Sequence, residues 1–584
     1  MSYTQSNRIS PSNTQRLSQT RNRWIITLII ITIGISACKP LAEVSLKRGQ
    51  TTYKYPEYTF RDSLLGGLRP ERTNFDVTFY SLNIDIDTRN KKIEGYVDIH
   101  FTILAPSKRL QIDLTKNLSL ETITFKEKTL KAQRVEDAIF VQLPYEMQAN
   151  EKGTLRVEYQ GIPKSALMPP WSGGFVWEQD EDGYPWLGVA CEGDGAHIWW
   201  PLKDHPSDEP DSMAINIRIP NNKKQVCLAN GQLRGIETNK DTRTFKWFVS
   251  YPINPYNVTF YIGNYKHFKY TYKGESNLDS LSFWVLPYNY KKAQRHFKQT
   301  LDIFRFFEQT FGPYPWPKDG YKLVESPYEG MEHQSAIAYG NGYENDVIYG
   351  FDYIILHETA HEWWGNSITA DDMAELWIHE GFATYAEALY VEHISGYEKY
   401  IDYLKGQRRQ IQNKYPLIGP KGIRYEIYGN GMWDSDIYFK GSNVLHTLRT
   451  SIHNDSLFRR IIKRFGTEYR AKIINSEAFI QLVNEETGED YRPFFNHYLH
   501  EPQLPQFVYS IREEKNAQDK VYVLYYQWMD VAPDFWANVS IQVKDKEKPI
   551  NLHVTTEQKR LILGESNQMK PVFGHGYYTF TKRQ

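Results

Sequence analysis

The stretch Leu356-His357-Glu358-Thr359-Ala360-His361-Glu362-Trp363-Trp364-Gly365 constrains this chain more than any other, because it reads H-E-x-x-H. If residues 352–364 form a helix, His357 and His361 share one face, one turn apart, where a tetrahedral zinc takes both imidazoles. Glu358 follows the first histidine by one position and so points beside such a metal instead of at it. That suits a general base acting on a metal-bound water. The motif alone also describes a surface helix that happens to carry two histidines. Against that reading, residues 351–356 run nearly all apolar into His357, so the helix is expected to be buried, and buried imidazoles need partners.

A third ligand should be a histidine or a carboxylate, and the acids in reach downstream are Asp371, Asp372, Glu375, Glu380 and Glu387. Residues 366–372 read as a turn and 373–393 as a second helix. Glu380 falls in mid-helix among apolar neighbours, followed by Gly381, which would let the first helix approach closely. An unpaired carboxylate there would be costly, and a zinc would satisfy it. Glu380 is therefore the expected ligand, with eighteen residues between it and His361. Glu387 lies on the same helix face, about 10 Å further along. It could hydrogen-bond a ligating imidazole or face solvent.

H-E-x-x-H, eighteen residues and then Glu380 within W-x-x-E-G-F-A resembles the membrane alanyl aminopeptidase family of gluzincin metallopeptidases, which includes leukotriene A hydrolase. Further stretches are similar to that family. Tyr328-Glu329-Gly330-Met331-Glu332-His333 resembles its G-x-M-E-N exopeptidase motif, Tyr438-Phe439-Lys440-Gly441 its Y-x-K-G, and residues 76–101 the opening hairpin of its first domain. The likeness covers about residues 70–505.

The resemblance implies one zinc ion on His357, His361 and Glu380, with Glu358 as base and Tyr438 as the phenol that stabilises the oxyanion. It implies that Glu332 grips the substrate's α-ammonium, while the backbone of Gly330 and Met331 pairs with the peptide as an added strand. The family's Gln-x-Gln or Gln-x-Glu element falls at residues 190–192. Glu192 matches its second position and is kept as an amine contact; Ala190 occupies the first, so half the element is absent. His333 stands where the motif has Asn, which bears on substrate geometry and not on the reaction class. Without the resemblance, Glu332 would read as a solvated strand-end acid, and any one tyrosine among 42 as packing. Trp433 and Tyr328 could line the first side-chain pocket.

The length of 584 residues points to several domains, and a net charge of −1 favours neither nucleic acid nor long-range steering. Residues 1–23 are polar, with Arg8, Arg16, Arg21 and Arg23 and no acid. The apolar run 24–37 is short for a membrane span and is flanked like the core of a signal peptide. It ends Ile35-Ser36-Ala37-Cys38, which resembles a bacterial lipobox; Cys38 would then become the lipidated first residue of a protein tethered to an envelope membrane. A plain signal anchor is the alternative, and either exports the chain. Cys191 and Cys227 could pair in an exported protein, but the reading favours two small buried residues.

The expected architecture is multidomain α+β. Residues 1–38 are a lipoprotein signal peptide and 39–68 an irregular tether. Residues 69–265 form an all-β domain, saddle-like by resemblance, 266–503 a thermolysin-like mixed catalytic domain carrying the zinc helices, and 504–584 a small β-sandwich. Larger family members carry a further helical domain, so the site here is expected to be more open, or covered by a partner subunit. The expected activity is a zinc aminopeptidase at a bacterial cell envelope, acting on peptides with a free N-terminus. A zinc endopeptidase would cut blocked peptides equally well. A peptide-binding lipoprotein would cut nothing, and an epoxide hydrolase is a further alternative.

Overall fold

A computed structural model describes residues 57–424, 435–516, 519–544, 546–565, 567–571 and 576–582, with short strands at 47–48 and 51–52. The signal segment, Cys38 and Trp433 lie outside the described residues. Among those described, no helix is long and apolar enough to cross a membrane.

The first domain is all β. Its largest sheet has eight strands, in the order 232–238, 242–249, 212–220, 75–87, 92–103, 152–161, 118–125 and 128–129. Strand Phe75–Asp87 shows how the sequence pattern works and where it slips. Val77 is buried, a bulge follows between Val77 and Phe79, and Tyr80, Leu82, Ile84 and Ile86 then face the core. The extra residue shifts the phase of the alternation, so Val77 and Tyr80 share a face although strict period two would separate them. A four-stranded sheet (174–179, 185–190, 260–263, 226–229) completes the side that meets the catalytic domain. Cys191 and Cys227 are both buried and unbridged.

Residues 60–66, expected to be irregular, form the helix Phe60–Gly66. A capping box explains it. The Thr59 hydroxyl accepts from the Asp62 N–H at 3.2 Å, and the Asp62 carboxylate accepts from the Thr59 N–H at 2.7 Å.

In the catalytic domain a five-stranded sheet runs in the order 266–271, 280–285, 321–325, 337–339, 330–331, which leaves Gly330–Met331 on an edge. Two helices, Tyr290–His296 and Gln299–Phe311, follow in the same domain. The H-E-x-x-H helix spans Tyr353–Ala360, shorter than 352–364. Asp352 caps it, accepting from the N–H groups of Ile354 (3.1 Å) and Ile355 (3.4 Å), and His361 is already its C-cap. Residues 366–372 hold more than a turn, since Ile368–Ala370 pairs in parallel with Lys472–Ile474.

The second zinc helix is Trp377–Ser395. Its Gly381 does not receive the first helix. It meets Gly441 of the helix Asp436–Ile452, which carries Tyr438. A Cβ on Gly381 would lie 3.0 Å from the Gly441 Cα, and one on Gly441 would lie 2.9 Å from the Gly381 Cα.

Residues 506–582 form two facing sheets of four and three strands. This sandwich shares one continuous apolar core with the catalytic domain. The Tyr438 helix is bound into the junction. Lys440 Nζ donates to the carbonyls of Glu501 (3.1 Å) and Pro502 (3.3 Å), and the Tyr577 N–H donates to Thr447 Oγ1 (2.8 Å).

A buried ion pair crosses from the catalytic domain to the first domain. Arg424 donates through Nη1 to Asp204 Oδ2 and through Nη2 to the Asp204 carbonyl, both at 2.9 Å. Asp204 Oδ2 also lies 2.6 Å from His197 Nδ1. Burial pushes the Asp204 carboxyl up, but Arg424 and His197 outweigh it and hold it well below the usual carboxylate range. Gly195, at φ +90°, makes room for this pair, because a Cβ there would overlap the Arg424 guanidinium.

Candidate active site

The two zinc helices bring three donor atoms into a small triangle. His357 Nε2 and His361 Nε2 are 3.1 Å apart, and Glu380 Oε2 lies 3.3 Å from the first and 3.4 Å from the second. Two ligands held about 2.05 Å from a tetrahedral zinc are about 3.3 Å apart, so the triangle has the edges that ion requires. Glu380 Oε2 is buried and has no hydrogen-bond partner, a costly state that a cation removes. The histidines are oriented for the same purpose. His357 Nδ1 faces Glu387 Oε1 at 2.7 Å, and His361 Nδ1 faces the Trp364 carbonyl at 2.8 Å. Both partners are acceptors, so each ring carries its proton on Nδ1 and turns the Nε2 lone pair inward. The residues fit zinc.

The other acids considered as ligands point elsewhere. Asp371 pairs with Lys421 and Asn475, Asp372 accepts from the Ala374 N–H, and Glu375 accepts from the Ser476 N–H. Glu387 takes the supporting position behind His357, where Tyr403 also donates to it.

Glu358 stands beside the triangle. Burial raises its carboxyl to about 8, with His357 pulling it down and the charge on Glu332 pushing it up. The edge strand lies directly against it: a Cβ on Gly330 would be 2.5 Å from Glu358 Oε1. Only glycine lets the main chain of this strand pass so close to the carboxylate.

Glu332 follows that strand. One carboxylate oxygen each from Glu192, Glu332 and Glu380 lies within 4.8 Å of the other two, and the same holds for Glu332, Glu358 and His361 Nε2 or Nδ1. Burial, then mutual repulsion, lifts the Glu192 carboxyl well above the ordinary range. Four acids therefore converge beside the metal triangle, and a cationic group placed among them would relieve their repulsion. Glu192 comes from the turn after strand Pro185–Ala190, whose Asp194 accepts from the Gly173 N–H at 2.6 Å. Tyr328 is buried, and its hydroxyl donates to the Val189 carbonyl at 3.3 Å, so it props the same strand.

Tyr438 stacks near the triangle, its ring 6.2 Å from that of His357 and inclined by 28°. His333 is wholly buried. The Tyr261 hydroxyl donates to the Ala336 carbonyl (2.8 Å) and so receives the His333 Nδ1–H (2.7 Å). His333 thereby ties residues 328–333 to strand Phe260–Gly263.

Three residues of this site carry no motif. Asn366 Nδ2 donates to the Glu332 carbonyl at 2.8 Å, and the Tyr256 hydroxyl, 3.0 Å from Glu332 Oε1, also lies 3.3 Å from His379 Nδ1. The one sequence signal is position: His379 stands beside Glu380 within W-x-x-E-G-F-A.

Models of two protein families match the chain: the peptidase M1 N-terminal domain over residues 77–256 and the peptidase family M1 domain over residues 295–498. Endoplasmic reticulum aminopeptidase 1 of Mus musculus is 25% identical over 292 residues, which is 46% of this chain and 30% of that protein. Glutamyl aminopeptidase of Rattus norvegicus is 22% identical over 342 residues, covering 55% and 35%. Leucine aminopeptidase 2 of Vanderwaltozyma polyspora is 23% identical over 435 residues, covering 70% and 63%. The chain thus spans less than two thirds of the length of these relatives. Among solved structures, an M1 zinc metallopeptidase mutant from Deinococcus radiodurans superposes with a TM-score of 0.62 at 20% identity, covering 74% of this chain and 96% of that one. A form of that enzyme bound to a Tyr-Ser-Ala substrate gives 0.60 at 19%, a likeness of fold.

Proposed function

The chain belongs to the peptidase M1 family, and from that premise we propose that it is a zinc aminopeptidase that releases single residues from the free amino end of peptides. The observation that carries this reading is the placement of Glu192 and Glu332 within 4.8 Å of the ligand Glu380. A cleft that continues past the metal suits an endopeptidase; one closed there by carboxylates suits an α-ammonium held one residue from the scissile bond.

In this mechanism Glu332 and Glu192 receive the ammonium through charge-assisted hydrogen bonds. The edge strand Gly330–Met331 pairs with the peptide backbone and lays its first carbonyl beside Glu358. Zinc held by His357, His361 and Glu380 would supply a Lewis acid for that carbonyl and make water acidic enough to lose a proton near neutrality. Glu358 takes the proton as the water oxygen attacks the carbonyl carbon. The Tyr438 hydroxyl donates to the developing oxyanion, a contribution of about 3 kcal/mol for such a donor. As the C–N bond breaks, Glu358 passes the proton to the leaving amine.

The test uses a tetrapeptide in free and N-acetylated forms, with and without a chelator. The free form should lose residues stepwise from its amino end, the acetylated form should persist, and chelator should stop the reaction. Glu332→Ala should lower kcat/KM on the free peptide by about tenfold to a hundredfold, as expected for one lost ionic hydrogen bond. Equal cleavage of both forms would establish an endopeptidase instead.

We also propose, from Ile35-Ser36-Ala37-Cys38, that the protein is held at a bacterial envelope membrane by acyl chains on Cys38. Cells fed an alkyne-tagged fatty acid should label the wild-type protein and not Cys38→Ala; equal labelling would end this proposal.

A further inference from the structure

The carboxylate assigned to the substrate's amine is held at the end of a directional hydrogen-bond chain. The backbone N–H of Ala370 donates to His379 Nε2 at 2.9 Å. A ring nitrogen that accepts carries no proton, so in the neutral imidazole the proton sits on Nδ1, which faces the Tyr256 hydroxyl oxygen at 3.3 Å. Having accepted there, the phenol gives its single hydrogen to Glu332 Oε1 at 3.0 Å. The sequence Ala370 N–H, His379, Tyr256, Glu332 therefore runs one way. All three side chains are at most 3% exposed, so bulk water cannot replace a missing link.

The members come from three places. Tyr256 sits in the short 3-10 turn Pro255–Asn257 at the end of the first domain, capped by Asn254, whose side chain accepts from the Tyr256 N–H at 3.2 Å. His379 is on the second zinc helix and Ala370 on the strand before it. The rings of Tyr256 and His379 lie 6.3 Å apart at an angle of 28°. The need for such a chain follows from the surroundings of Glu332. A carboxylate among other carboxylates lowers its energy by rotating away from them. The phenol opposes that rotation by fixing Oε1, and so sets where the other oxygen points.

We propose that Tyr256 and His379 are positioning residues that fix the direction in which Glu332 offers its free oxygen, and so set how strongly the site prefers a free α-amine. The inference rests on the aminopeptidase reading above. Neither residue touches the substrate; both act through Glu332.

Tyr256→Phe removes one oxygen and keeps the ring. Zinc-loaded wild-type protein and this variant would be titrated calorimetrically with L-phenylalaninamide and with 3-phenylpropanamide, its analogue without the amine. Both would also be assayed on the free tetrapeptide. Loss of a bond to a charged acceptor should cut the preference for the amine-bearing amide by about tenfold or more, with KM for the peptide rising by the same factor. The value of kcat should move by less than about threefold, because the chain acts on binding and not on the proton transfer. Zinc per chain should not change. His379→Asn keeps an N–H at the position of Nδ1, so it should retain more of the preference than His379→Ala. An unaltered preference in Tyr256→Phe, or equal weakening of both amides, would overturn the inference while leaving the aminopeptidase reading in place. A wild-type protein with no preference for the amine would overturn both.

Discussion

Glu358→Gln should stop turnover while leaving the metal site and the fold intact. The substitution keeps the size and shape of the side chain and removes only its capacity to take a proton. Glu358 is not among the three atoms of the metal triangle, so zinc should bind with unchanged stoichiometry. Loss of a general base costs about 10²- to 10⁴-fold in rate. Stability should hold or rise, because burial already disfavours the charged form of this carboxyl. The measurement is kcat on the free tetrapeptide, with metal content by elemental analysis and the melting temperature taken in parallel. Retention of more than about a tenth of the wild-type rate would remove Glu358 from the role of base.

Asp204→Ala should be strongly destabilising, because it breaks a buried ion pair. Arg424 is 5% exposed and Asp204 3%, and removal of the acid leaves the guanidinium buried without its counter-charge. Breaking a buried pair in this way costs about 3–5 kcal/mol, far more than the pair contributes over an apolar replacement. The effect should also reach the substrate site. Arg424 packs against Gly195, in the same turn as Glu192, so the variant that folds should bind the free amine less well as well as unfold at lower urea. Equilibrium unfolding gives the stability change, and a loss below about 1 kcal/mol, the range of exposed pairs, would show that Arg424 finds water or another acid.

The parts of this molecule that were legible in the sequence are those governed by short spacing. The four-residue spacing from His357 to His361 puts two imidazoles on one turn, whatever the rest of the chain does. Glu380 was legible for a different reason: a carboxylate in mid-helix among apolar residues needs a cation, and its place in W-x-x-E-G-F-A set it apart from Glu375 and Glu387, which also have apolar neighbours. What stayed hidden was set by contacts between distant segments. Gly381 announces a close approach but not its partner, and that partner proved to be Gly441 on the Tyr438 helix. Residues 368–370 pair with 472–474, a strand whose existence depends on a segment far along the chain. The bulge at Val77–Phe79 shifts the phase of the strand's alternation, which no local residue announces. Tyr256 was invisible because nothing local separates one phenol of this chain from the others; its proposed role arises only where the end of the first domain meets residues 330–333. The domain boundaries and the lipid anchor are readings of another kind, resting on pattern and resemblance.

The contact between Gly381 and Gly441 couples two chemical groups through main chain alone. Glu380 immediately precedes one glycine and Tyr438 lies one helical turn before the other. Spacings that depend on interlocking side chains fluctuate as rotamers exchange, whereas two backbones in van der Waals contact have nothing between them to rearrange. Glu380 and Tyr438, proposed above to hold the metal and to meet the oxyanion, are therefore mounted on one rigid bracket. Any motion that admits a peptide or lets a product leave must carry both helices together, or occur elsewhere, in the edge strand and in the turn that bears Glu192.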